Sequence, residues 1–275
     1  MDYKTVMVSL ALDRSNEACL AVAGDIAEQF RARVVGIAAS DLRPTLYFAE
    51  GGYAEKALDQ EEQSIRKRLS ELESEFRSSV QRRAKTVEWR SALTLSSTYV
   101  AQQARTADLL VVGARAEPIV DPCVAPDPND LLMEVGRPLV IVPPSVEWLD
   151  LRSVLVAWKD VRETRRAVLD ALPILAVAKE VTIAEIPEEG ADHAEALSHV
   201  EDVAVWLRSH GIAASTLVPE AKVDVIGQLD QIAANVGAGV VVAGAYGHSR
   251  LREWVMGGVT RHLATGSSRC SLLSR

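Results

Sequence analysis

Cysteine is scarce in this chain: Cys19, Cys123 and Cys270 are the only three in 275 residues, and no two form a C-x-x-C pair. So odd and sparse a set supplies no disulfide framework and fits a reducing compartment. Basic residues are in deficit, 30 Lys and Arg against 38 Asp and Glu, and the net charge of -8 offers a polyanion no long-range attraction. No apolar stretch reaches the roughly 18–20 residues a bilayer span needs. The opening segment MDYKTVMVSL carries Asp2 and Lys4 and has no long apolar region of a secretory signal. These absences predict a soluble, cytoplasmic protein with no membrane and no nucleic-acid partner.

Several motifs are missing as well. There is no G-x-x-x-x-G-K-[ST], which excludes a P-loop ATPase on its own signature. Gly237-Ala-Gly239 precedes its strand, with Val242 in the third glycine's place, so it reads as a helix stop rather than a dinucleotide fingerprint. Gly247-His-Ser249-Arg-Leu251 lacks the second glycine of a nucleophile elbow, leaving Ser249 a polar loop residue. Histidines number five; His193, His199 and His210 stand six and eleven apart, not the i, i+4 of metal ligands, and read as a solvated helix face. No catalytic constellation and no metal-binding set emerges, and the chain reads as a binding protein rather than an enzyme.

What is present is globular: 48% hydrophobic and 25% charged residues, in a length that suggests two domains. An internal repeat organises it. Val6-Met-Val-Ser-Leu10 and Val154-Leu-Val-Ala-Trp158 are short apolar runs of the kind that form buried parallel strands. Helix-like segments follow at 15–31 and 161–179, with Ser15 and Asp160 as start signals, then second strands at 34–38 and 181–185. Ala107–Ala114 answers Ala238–Ala245 at an offset of 131, each behind an amphipathic segment (98–106 and 225–235), and 137–142 answers 269–274. The first half carries extra residues, explained by a long surface helix over 54–84 with Leu58, Ile65, Leu69, Leu72 and Phe76 at helical spacing. Alternating strands and helices predict two parallel α/β units, 1–146 and 147–275, divided near Pro143–Asp150.

Parallel sheets bind ligands at the carboxyl ends of their strands. There the second half reads Gly244-Ala-Tyr-Gly247-His-Ser-Arg-Leu-Arg-Glu-Trp-Val-Met-Gly257-Gly258-Val-Thr260, with Gly257-Gly258-Val259-Thr260 opening a helix over 259–265 and Arg250, Arg252 and Arg261 nearby. Glycines admit a phosphate close to the backbone, and free N–H groups at a helix start favour an anion. The matching loop of the first half has Ala116 for Gly247 and Pro126-Asp127 for Gly257-Gly258. Its prolines remove donors, and Asp121, Asp127 and Asp130 repel phosphate. His248 and His262 flank the glycine loop, Trp158 ends the first strand as a wall for a base or a packing residue, and Cys123 reads as a plain loop cysteine.

The spacing G-x-x-G, nine residues, then G with a small residue resembles the nucleotide loop of the universal stress proteins, standing here as Gly244, Gly247, Gly257 and Gly258. The resemblance covers the whole chain as two tandem domains. It implies an adenine-nucleotide-binding α/β fold, two five-stranded parallel sheets of order 3-2-1-4-5, and a role in stress survival. It also implies ATP in the second half alone, held by Ala157, Lys159, Gly244, Gly247, His248, Gly257, Gly258, Val259 and Thr260, with Mg²⁺ only as a nucleotide counter-ion and no or very slow hydrolysis. Two positions depart from the family pattern: Lys159 stands where ATP-binding members carry an acid, and Gly258 where a hydroxyl is common. The competing reading is a nucleotide-free scaffold or sensor that works through an unidentified protein partner. Family members dimerise through their last strands. The resemblance therefore implies that 138–142 and 270–274 meet across an internal pseudo-two-fold between separate sheets, in a monomer or a homodimer.

Overall fold

β-Branched apolar runs alternating with amphipathic segments fold as strands and helices in strict succession. The computed structural model describes residues 2–42, 52–115, 123, 125–188, 190–220, 223–246 and 258–275. Its first half runs β1 (Thr5–Ser9), α1 (Glu17–Phe30), β2 (Arg33–Ser40), α2 (Gly52–Val80), β3 (Val87–Leu93), α3 (Ser96–Gln103), β4 (Leu109–Gly113), α4 (Pro128–Glu134) and β5 (Leu139–Val142). Its second half runs β6 (Ser153–Trp158), α5 (Arg162–Val177), β7 (Glu180–Glu185), α6 (His193–Ser209), β8 (Ser215–Leu217), α7 (Val225–Asn235), β9 (Val240–Gly244), α8 (Gly258–Thr265) and β10 (Cys270–Ser274).

The strand order is β3-β2-β1-β4-β5-β10-β9-β6-β7-β8, so each half reads 3-2-1-4-5 from its outer edge inward. Pairing is parallel within each half. The expected meeting of the last strands is present: β5 and β10 pair antiparallel, with Ser271 opposite Ile141, Leu272 opposite Val140 and Leu273 opposite Leu139. The two five-stranded parallel units are thus present, joined edge to edge. Backbone hydrogen bonding of these two strands fuses the halves into one ten-stranded mixed sheet, because a last strand left open is an exposed edge.

Both faces of this sheet are covered, as its apolar strands require. Alternation sets the faces: Val6 and Val8 pack with buried residues of α1 and α2, whereas Met7 between them packs with those of α3 and α4. In the second half, Val154 and Val156 face α5 and α6, and Leu155 faces α7 and α8. The long α2 is the predicted surface helix. Ile65, Leu69, Leu72 and Phe76 are its buried stripe, Leu58 stays partly exposed, and Phe76 meets Trp89 at 5.7 Å between ring centres. Arg83, just beyond α2, ties it to α1 by ion pairs to Asp25 (2.5 Å) and Glu28 (2.9 Å).

Helix starts differ in detail from the sequence signals. Ser15 accepts a bond from Glu17 N at 3.3 Å, but the residue flanking α1 is Asn16, whose side chain instead clamps the Ala11 backbone. Asp160 caps nothing; α5 begins behind Val161, and Asp160 pairs with Arg165 at 2.6 Å. Gly237, past the end of α7, has φ +62°, as a helix stop demands. Two strands had no clear apolar signature. β3 is the partly exposed VEWRSAL and β8 the exposed STL, and both are sheet edges, where polar residues are tolerated.

Candidate functional site

β6, β7 and β9 end on the same side of the sheet, and between these ends and the start of α8 lies a cleft of about 320 Å³. Ala157, Lys159, Gly244, Gly258, Val259 and Thr260 line it together, so six of the nine predicted site residues share one cavity. Gly247, His248 and Gly257 fall outside the described residues, as do Arg250, Arg252 and Trp254. The helix expected at 259–265 starts at Gly258, with no acidic residue in its first turn. Thr260 is buried within that turn, so it does not cap the helix.

Gly244 has a packing reason to lack a side chain. A Cβ there would lie 2.5 Å from the Thr164 N and 2.7 Å from the Glu163 carbonyl carbon, where α5 crosses the end of β9. Lys159 does not face the cavity alone, since its Nζ lies 2.8 Å from Glu188 Oε1 beyond the end of β7. Glu188 thus returns a carboxylate to the lip from which the resemblance had removed one. Sequence reading missed it because its register depends on how β7 ends, together with the apolar wall of Ile186, Val225 and Leu229.

The surroundings of Trp158 and the histidines refine their sequence readings. Of its two readings Trp158 shows the packing one: it lies in the core layer on the α5 and α6 side, while its neighbour Ala157 packs on the α7 and α8 side, although Trp158 also borders the cleft. His262 places its Nε2 2.9 Å from Asp230 Oδ2 on α7. Of the α6 histidines, His193 and His210 are exposed, as a solvated face requires; His193 lies 3.1 Å from the Val218 carbonyl, the half-buried His199 3.2 Å from Glu185, and His210 stacks on Trp206 at 4.4 Å.

Tyr246 follows the end of β9 in the left-handed region, φ +59°, unusual for a bulky residue. Its hydroxyl donates to Asn129 Oδ1 at 2.7 Å, across from the second half to α4 of the first. Burial, then Asp127 and Asp130, push this phenol up to about 12.

The corresponding region of the first half is built differently. Arg115, the counterpart of Tyr246 at the 131 offset, is buried, and its Nη2 lies 3.3 Å from Asp13 Oδ2. Burial raises the Asp13 carboxyl, but the hydrogen bond from Arg14 and the charges of Arg14 and Arg115 outweigh it and hold the group below its usual value. At the start of α4, Asp127 accepts from Asn129 N at 2.8 Å, and Pro128 follows. The start of α4 is therefore satisfied by the chain's own carboxylate. Cys123 is buried, and its carbonyl accepts from Asp41 N at 3.0 Å. Among the described residues no cluster of His, Cys, Asp or Glu is arranged to hold a metal, and no helix is long and apolar enough to cross a membrane.

No family model and no curated protein matches the chain. Solved structures do. A universal stress protein from Archaeoglobus fulgidus superimposes with a TM-score of 0.74 at 14% identity, over 98% of this chain and 96% of that one. A protein described as a universal stress protein from Pseudomonas aeruginosa gives 0.58 at 16%, over 99% and 93%. The cytoplasmic domain of a prokaryotic cation chloride cotransporter gives 0.51 at 9%, over 98% and 94%. The chain has the tandem α/β fold of universal stress proteins, and the same fold serves in other settings.

Proposed function

We propose that the chain is a tandem universal-stress-type protein that binds an adenine nucleotide, ATP, in its second half only, as a cytoplasmic stress-response binding protein with no or very slow hydrolysis. The observation that carries this reading is the difference between equivalent helix starts. In the second half α8 opens onto a cleft with no acid in its first turn, whereas in the first half Asp127 occupies the start of α4 and Arg115 fills the strand ends against Asp13. Free N–H groups at the α8 start suit phosphate. The apolar residues Ala157, Ile186 and Leu229 suit a base, and Glu188 and Lys159 at the lip suit ribose hydroxyls. Mg²⁺ enters only with the nucleotide, and a partner protein reads the bound state.

Gly258→Asp tests this. It installs at the first residue of α8 the acid that Asp127, 131 residues earlier, supplies just before α4, and among the described residues its Cβ meets only Ile226 Cδ1 at an ordinary 3.4 Å. Calorimetric titration with ATP should show binding by the native chain and at least tenfold weaker binding by the variant, with unchanged thermal stability. Equal binding by both would place the ligand elsewhere. No binding by the native chain, with no nucleotide released on denaturation, would favour the scaffold reading.

A further inference from the structure

On the opposite face of the sheet from the candidate cleft, α5 and α6 stand apart and leave a groove of about 420 Å³. We propose that this groove is a second binding site, for a small aromatic molecule that carries a hydrogen-bond acceptor and no negative charge. The proposal is independent of nucleotide binding.

The walls are Trp158, Val168, Val203 and Trp206. Trp158 is 8% exposed, and among the described residues its buried indole Nε1 has no hydrogen-bond partner. A buried donor left unmade is costly, and native structures rarely keep one without a use. A ligand with an acceptor satisfies it while its ring lies between apolar walls. Trp206 is 38% exposed at the mouth, so an indole is available to be covered. The volume falls within the roughly 300–1,000 Å³ typical of small-molecule pockets, and the lining has their composition, apolar walls with a few convergent polar groups.

The rim sets the charge of the occupant. Asp160 is paired with Arg165 at 2.6 Å and Glu185 with His199 at 3.2 Å, and Asp202 adds a further carboxylate. Acids therefore outnumber bases, and an anionic ligand meets net repulsion. The first half shows that the space is not imposed by the fold. There Arg83 draws α2 onto α1, its guanidinium lying against Gly24, and Leu72 and Phe76 of α2 are wholly buried in the same layer.

The test uses coumarin, an uncharged bicycle with a carbonyl acceptor, and coumarin-3-carboxylate, the same ring made anionic. Tryptophan indole N–H resonances of the full ¹⁵N-labelled chain are followed, with that of Trp158 identified by its loss in Trp158→Phe. Coumarin should move this resonance saturably with a Kd below about 1 mM, and the carboxylate should bind at least tenfold more weakly. Val203→Trp, which fills the groove, should abolish the shift. Trp206→Ala, at an exposed position that folding does not need, should weaken binding at least about fivefold, roughly 1 kcal/mol by the tenfold-per-1.4 rule. The proposal is overturned by no saturable shift in the native chain, by equal affinity for the two probes, or by a Trp206→Ala variant that binds as the native chain does.

Discussion

Two glycines at equivalent strand ends, Gly113 on β4 and Gly244 on β9, should respond oppositely to the same substitution. In Gly244→Ala the added methyl would sit 2.5 Å from Thr164 N, 2.7 Å from the Glu163 carbonyl carbon and 2.8 Å from Thr164 Oγ1. Two of these are backbone atoms, so no rotamer change relieves the contact. Ordinary approach begins near 3.4 Å, so the start of α5 must retreat by about 0.9 Å. That helix carries Ala167, Ala171 and Ile174, wholly buried over the sheet, and cannot move without repacking them. Overpacking of this kind costs about 1–3 kcal/mol, against which the lost backbone freedom of glycine returns about 0.5–1. The net expectation is about 1–2 kcal/mol of destabilisation. In Gly113→Ala the methyl meets only Cys19 Sγ at 3.4 Å, and the entropic gain should leave the protein unchanged or slightly more stable. Urea titration of the two variants beside the native chain measures this. With a slope of about 3 kcal/mol/M, the Gly244→Ala midpoint should fall by about 0.3–0.7 M. A Gly244→Ala variant within about 0.5 kcal/mol of native, or equal losses in both, would refute the close-packing account.

Two further outcomes follow from the ionisable groups. Asp13 is held below its usual value in the folded chain, so its contribution is fully present above about pH 4 and disappears as pH falls through the folded value. Asp13→Asn should therefore cost about 1 kcal/mol at pH 7, a third of the carboxylate being screened by water, and the gap to native in urea midpoint should narrow progressively as pH is lowered below about 4. A gap that stays constant or widens as pH is lowered below about 4 would contradict this. Tyr246 should titrate near 12 by ¹³C NMR of its ring, and Asp127→Asn should bring it only part of the way to 10, because burial is the larger cause; an ordinary value in the native chain would contradict the buried bond to Asn129.

The parts of the fold legible in sequence are those whose residues are buried on both sides. β1, β4, β6 and β9 are continuous apolar runs, and the 131-residue offset aligned the halves without reference to any contact. Edge strands β3 and β8 hid because an edge needs no apolar run, and α4 hid because Pro128 and Asp127 read as loop chemistry although both are sound helix-start residues. In the candidate site, the glycine pattern pointed to strand ends that border a cleft, but it assigned to a ligand what Gly244 owes at least partly to Thr164. Side-chain direction was beyond reach for Trp158, since one residue of strand register decides which face a side chain takes.

The divergence of the two halves also has a mechanical side. If the first half were simply a lost binding domain, Asp127, Asn129 and Arg115 would have no bearing on the second. Instead Asp127 orients Asn129 through its backbone N–H at 2.8 Å and its side-chain Nδ2 at 2.9 Å, and Asn129 accepts the Tyr246 hydroxyl at 2.7 Å. Tyr246 pays for its φ of +59° within that bond, since left-handed backbone at a bulky residue persists only where its surroundings fix it. The same aspartate that satisfies the α4 start therefore helps hold the residue leading out of β9 at the wall of the second-half cleft. The antiparallel β5–β10 pair joins the halves, and Tyr246 of the second reaches Asn129 at the start of α4 in the first. A carboxylate at position 127 is thus compatible with loss of an anion site in its own half and with order in the neighbouring one, and the two effects need no separate cause.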